Sequence, residues 1–136
     1  MGEDEVLNKK YEQLKMYEEH VRKLNQELGR IQERSSEIEH TVAALEEFKG
    51  HSSGKKSLFP IADGIFIRGE VKDDKKVFVN VGKGTIVEKS IDEAKEMLSS
   101  QLGELEDYNE RIIAEMAEID EKAYAIQEDV LKRGKS

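Results

Sequence analysis

Leu14, Tyr17, Val21, Leu24, Leu28, Ile31, Ser35, Ile38, Val42 and Leu45 are spaced alternately three and four residues apart along residues 14–45. In a heptad lettered a to g, one set (Leu14, Val21, Leu28, Ser35, Val42) occupies a and the other (Tyr17, Leu24, Ile31, Ile38, Leu45) occupies d. Only Ala43 and Ala44 are apolar off this seam between residues 18 and 47. A stripe so narrow over so many turns is too thin for the face of a globular helix and has the period of a coiled coil. The pattern returns near the other end of the chain. There Leu102, Asn109, Met116, Ala123 and Val130 fall at a, and Leu98, Leu105, Ile112, Ile119 and Ile126 at d.

Between the two seams the period changes from 3.5 to two. Leu58-Phe59-Pro60-Ile61 reads as a short strand, with a proline suited to a sheet edge. Asp63-Gly64 turns the chain into Ile65-Phe66-Ile67-Arg68-Gly69-Glu70-Val71, and Asp73-Asp74-Lys75 turns it again into Val77-Phe78-Val79-Asn80-Val81. Gly82-Lys83-Gly84 then leads to Thr85-Ile86-Val87-Glu88. The expectation is a single elongated domain over residues 1–136, of α+β class. A first helix spans 3–49, two β-hairpins span 57–89 and a second helix spans 90–133. Ser90-Ile91-Asp92-Glu93 supplies a capping box for the second helix. Gly50-His51-Ser52-Ser53-Gly54 reads as a flexible connector.

Two long helices joined through one small module most simply fold back as an antiparallel pair, in which a residues face d residues. Pairing positions whose numbers add to 140 aligns both seams, setting Val42 against Leu98, Leu28 against Ile112, Val21 against Ile119 and Tyr17 against Ala123. The large Tyr17 opposite the small Ala123 favours this register over a one-heptad slip. Ser35 and Asn109 are polar seam residues, of the kind that fix register at some cost in stability.

Composition narrows the function. The chain has 136 residues, 38% of them charged and 6% aromatic, with one proline and no cysteine. That is a recipe for exposed helices of about 65 Å each, at about 1.5 Å per residue, and it excludes disulfides and thiolate metal sites. Residues 1–50 and 90–136 are acidic arms within a net charge of −8, which argues against nucleic acid as a partner. No apolar run approaches the roughly 20 residues of a membrane span, and the acidic start lacks the features of a signal peptide. A cytoplasmic location with no membrane partner is expected.

No catalytic constellation is present. Gly50 to Ser57 mimics a phosphate loop but has three residues between its glycines where four are needed, and Lys56 where Ser or Thr should follow Lys55. His20, His40 and His51 are too scattered to bind a metal. No enzyme activity, cofactor or metal is expected.

Two apolar sets remain. Four short strands cannot bury their own faces well, so Ile65, Phe66, Ile67, Val77, Phe78, Val79 and Val81 are candidate oligomerisation residues, although some must pack on the helix bases. At the far end of the arm the seam degrades, with Lys10 and Arg133 at core positions, and apolar side chains gather there. Val6, Leu7, Tyr11, Met16, Tyr124, Val130 and Leu131 are the candidate binding residues of that tip.

The runs Leu58-Phe59-Pro60-Ile61-Ala62-Asp63-Gly64-Ile65-Phe66-Ile67, Val79-Asn80-Val81-Gly82-Lys83-Gly84 and Val87-Glu88-Lys89-Ser90-Ile91-Asp92-Glu93-Ala94 resemble the alpha class of prefoldin subunits, of archaeal type. Helix, two hairpins, helix is that family's order too. Members commonly show Gly-Ala-Gly after the proline strand where this chain has Ala62-Asp63-Gly64. The resemblance implies a hexamer of two alpha and four beta subunits, with strands forming an intersubunit β-barrel and six coiled-coil arms. It further implies an ATP-independent chaperone that holds unfolded clients at the arm tips and passes them to a group II chaperonin. The alternative is a structural coiled-coil scaffold, or a filament-forming prefoldin-like homo-oligomer, with no client role.

Overall fold

The computed structural model describes residues 2–134. Its elements are α1 (Gly2–Phe48), β1 (Lys56–Ala62), β2 (Ile65–Glu70), β3 (Lys76–Asn80), β4 (Ile86–Ser90) and α2 (Ile91–Gly134). They fall into two compact units, one comprising the chain up to Ser35 and from Glu104 onward, the other Ser36–Gly103. The helices contribute to both.

The helix ends follow from local chemistry. Glu3, Asp4 and Glu5 in the first turn of α1 lie where the helix dipole favours negative charge. The helix stops because Gly50 turns left-handed (φ +74°), a conformation in which a side chain would be strained. At the start of α2, the Glu93 amide donates to Ser90 Oγ at 3.0 Å and the Ser90 amide donates to Glu93 Oε1 at 3.2 Å. This is the reciprocal capping box expected from the spacing.

In the first unit the buried core is Leu24, Ile31, Ile112 and Ile119, with Tyr17, Val21, Leu28, Leu105 and Met116 packed against it. Every one of these is a seam residue. Fully burying such a side chain contributes about 1.5–3 kcal/mol, so the seam supplies most of the cohesion between two otherwise charged helices. A shallow groove bordered by Leu14, Tyr17, Val21, Ile119, Ala123 and Gln127 locates the register. Its two walls bring together residues whose numbers add to about 140, with Tyr17 across from Ala123. The g-position residues flank the seam: His20 Nε2 lies 3.3 Å from Glu115 Oε1, and the Tyr108 hydroxyl donates to Glu27 Oε2 at 3.0 Å. The hydrogen bond to the Glu27 carboxylate holds the Tyr108 phenol above its ordinary pKa, while Arg111 sits over the same ring at 5.7 Å.

In the second unit the seam residues Ile38 and Leu98 are buried, and so are Ile91 and Ala94 in the first turn of α2. Glu46 pairs with Lys95 at 2.8 Å and Lys49 with Asp92 at 2.6 Å. The contact with Lys95 lowers the pKa of Glu46, and that with Lys49 lowers the pKa of Asp92.

The strands form two separate antiparallel hairpins, β1–β2 and β3–β4. In the first, Phe59 faces Ile67 and Pro60 faces Phe66, and the register slips between Pro60 and Ala62. A proline has no amide to give a ladder, and a bulge beside it removes the need for one. Gly69 has a packing reason: a Cβ there would lie 2.6 Å from the Phe59 ring. In the second, Phe78 faces Glu88 and Val79 faces Val87. Its turn holds Gly82, Lys83 and Gly84 at positive φ, and Asn80 Oδ1 accepts from the Gly82 amide at 2.9 Å.

The segment expected to be a flexible connector is held instead. Ser52 is buried, and the Ser52 and Ser53 amides both donate to Asp74 Oδ2 at 3.2 Å. The Asp73-Asp74-Lys75 turn therefore does more than reverse the chain.

Candidate functional site

Two exposed apolar surfaces stand out, one in each unit. The one in the second unit belongs to the hairpins. Ile65, Phe66 and Ile67 are consecutive on β2 and all exposed, so both faces of that hairpin meet solvent. On β3 the period of two separates the faces: Phe78 points outward at 72% exposure, while Val77 and Val79 are half-buried on the opposite side. Val81, just past the strand, is exposed. Leu58, Ile61 and Ile86 are exposed as well. All three lie in stretches expected to be strands but outside the candidate oligomerisation residues. Ile86 alternates with the half-buried Val87 on β4, whereas every residue of β1 is exposed and no alternation marks Leu58 or Ile61. Lys76 and Glu88, 3.2 Å apart, are the charged pair on the Phe78 face.

The surface in the first unit lies where α1 begins and α2 ends. Tyr11, Met16, Tyr124 and Leu131 are exposed, between 57% and 69%. Val6, Leu7 and Val130 are half-buried. Tyr124 and Leu131 are seven residues apart, so they occupy one stripe of α2. Where the apolar seam runs out, ion pairs take over. Lys10 Nζ reaches Asp129 Oδ2 at 2.7 Å, Arg133 Nε reaches the same oxygen at 3.1 Å, and Arg133 also approaches Glu3 at 3.5 Å. Hydrogen bonds from Lys10 and then Arg133 hold the Asp129 carboxyl below the usual range. The two helix ends are thus joined by charge, while Tyr11, Met16, Tyr124 and Leu131 stay exposed.

Chemically, both surfaces can bind apolar groups, and neither brings a nucleophile and a base together. Among the described residues no group of three or more His, Asp or Glu could hold a metal ion, and no helix is long and apolar enough to cross a membrane. His20 pairs with Glu115, and His40 and His51 border one shallow, open depression together with Ala43, Ala44, Glu46 and Glu47.

Comparison with known proteins follows the same lines. A family model described as prefoldin subunit matches residues 17–135. The prefoldin subunit alpha of Archaeoglobus fulgidus is 24% identical over 133 residues, covering 98% of this chain and 97% of that protein. The prefoldin subunit alpha of Methanococcus aeolicus is 29% identical over 127 residues, 93% and 86% of the two chains. That of Thermofilum pendens is 33% identical over 88 residues, 65% and 68% of the two. Among solved structures, filamentous PFD from Methanocaldococcus jannaschii, determined by cryo-electron microscopy, contains a chain that superposes with a TM-score of 0.77. It is 24% identical, covering 90% of this chain and 98% of that one.

Proposed function

Because the chain belongs to the prefoldin family, we propose that it is the alpha-class subunit of a cytoplasmic, ATP-independent holding chaperone. Two such chains and four beta-class subunits join through their hairpins into a β-barrel body. Unfolded clients are gripped at the ends of the helix pairs and passed to a group II chaperonin. The observation that carries this reading is the pair of hairpins with large apolar side chains open to solvent in the single chain, led by Phe66 and Phe78. A soluble chain leaves such surface uncovered only where something else covers it, and unpaired strand edges beside it offer the backbone groups to do so.

Gripping by exposed side chains suits a holder that must let go. One apolar contact contributes about 1.5–3 kcal/mol at most, so a single arm releases its client readily and several arms together retain it. No nucleotide is needed for such a cycle.

Native mass, measured for the chain alone and then mixed with a beta-class subunit, tests the assembly. The expected outcome is a complex of two and four chains formed only on mixing. A large homo-oligomer of the chain alone would favour a scaffold or filament instead, and a monomer in both samples would rule out assembly through the strands.

A further inference from the structure

We infer that Asp74 is a positioning residue that holds the two hairpins of one chain at a fixed mutual orientation, presenting them to partner strands as a single preformed template. The inference extends the assembly reading above, and its structural half stands independently of it.

Asp74 is 7% exposed, one of two buried polar residues among those described, and the other is Ser52. A carboxylate taken out of water needs donors. It finds them in the amides of Ser52 and Ser53, both 3.2 Å from Oδ2. Those amides sit between α1 and β1, whereas Asp74 sits between β2 and β3. The bond pair therefore joins segments 21 and 22 residues apart in sequence.

Neighbouring bonds tie the remaining junctions to the same place. The Gly54 amide donates to the Val71 carbonyl at 2.8 Å, and the Val71 amide donates to the Lys55 carbonyl at 3.0 Å, extending the first hairpin to its root. Ser53 Oγ donates to the Lys72 carbonyl at 3.4 Å. The Lys75 amide is capped by Asp73 Oδ1 at 2.8 Å, and the Lys75 carbonyl accepts from the Ile91 amide at 3.0 Å. Residues 71–75 thus touch the root of the first hairpin on one side and the junction of β4 with α2 on the other.

Among the described residues no strand-to-strand bond joins the hairpins. Their relative orientation depends on this short segment, from which the Asp74 side chain reaches across to the Ser52 and Ser53 amides of the α1–β1 connector. Fixing the two hairpins before association removes ordering cost from each assembly step.

The absence of cysteine allows clean spin labelling. Nitroxides at Asp63→Cys and Thr85→Cys, one in each hairpin turn, report the hairpin-to-hairpin distance by pulsed electron resonance. The labelled chain is studied by itself, diluted with unlabelled chain. A narrow distribution is expected, broadening in Asp74→Ala and narrowing again in Asp74→Asn, which keeps an oxygen acceptor. A broad distribution in the parent, or an Asp74→Ala distribution as narrow as the parent's, overturns the inference.

Should Asp74→Ala lose its helical signal, hydrogen exchange in the unaltered chain decides. Protected Ser52 and Ser53 amides support the clamp, and exchange at unfolded-chain rates overturns it. In titration against a beta-class subunit, Asp74→Ala should assemble at least about tenfold more weakly. Equal assembly by the broadened variant would overturn the template role. If the unaltered chain fails to assemble at all, the assembly reading fails while the distance measurement still judges Asp74.

Discussion

Asp129 is the residue on which the end of the helix pair depends, since it accepts from Lys10 on α1 and from Arg133 on its own helix. Those bonds lower its pKa in the folded chain from the ordinary 3.8. A group with a depressed folded pKa contributes stability that is present above the unfolded value and is lost as pH falls through the folded one. Asp129→Asn should therefore lower the melting temperature at neutral pH. The gap from the parent should close as pH drops below 3.8. Added salt should narrow the gap too, because all three partners are partly exposed and the Debye length is about 8 Å at physiological ionic strength. Melting curves at several pH and salt values check this, and a gap that persists in acid would count against the electrostatic cause.

At the scale of elements, three glycines predict opposite outcomes for the same substitution. Gly29 in α1 and Gly103 in α2 have open space where a Cβ would stand, so alanine at either should stabilise the helix by about 1 kcal/mol. Gly69 on β2 has the Phe59 ring 2.6 Å from that position. Alanine there must displace the ring, and the β1–β2 ladder should exchange its amide hydrogens faster. Thermal melting separates the first pair from the third, and hydrogen exchange locates the damage. A uniform response at all three sites would mean that Phe59 does not occupy the seat described.

At the scale of the whole molecule, the two apolar surfaces should be separable by mutation. Replacing Tyr11, Met16, Tyr124 and Leu131 by serine alters only exposed side chains, for which stability changes are usually within about 0.5 kcal/mol each. Melting and assembly mass should stay close to the parent, while suppression of client aggregation should be lost. A variant that still suppresses aggregation would remove client binding from the helix ends. Phe78→Ser should show the reverse failure, with assembly lost first.

The heptads at residues 14–45 and 98–130 and the capping box at Ser90 and Glu93 were legible because they are local. A period of 3.5 or a three-residue spacing is readable wherever the chain goes afterwards. The antiparallel register near 140 was legible for a related reason, since two long seams of fixed period match in few ways and Tyr17 opposite Ala123 discriminates among them. What the sequence could not supply depended on partners remote along the chain. Asp74 and the Ser52–Ser53 amides are more than 20 residues apart, so an apparent turn residue became a buried clamp and an apparent linker became ordered. Likewise, the period of two sets Phe78 opposite Val77 and Val79, but only the folded hairpin decides that the valine face is half-buried and the Phe78 face open. Local periodicity thus determined the elements and their pairing, and tertiary packing decided which apolar side chains remained available, because exposure depends on everything that surrounds a residue.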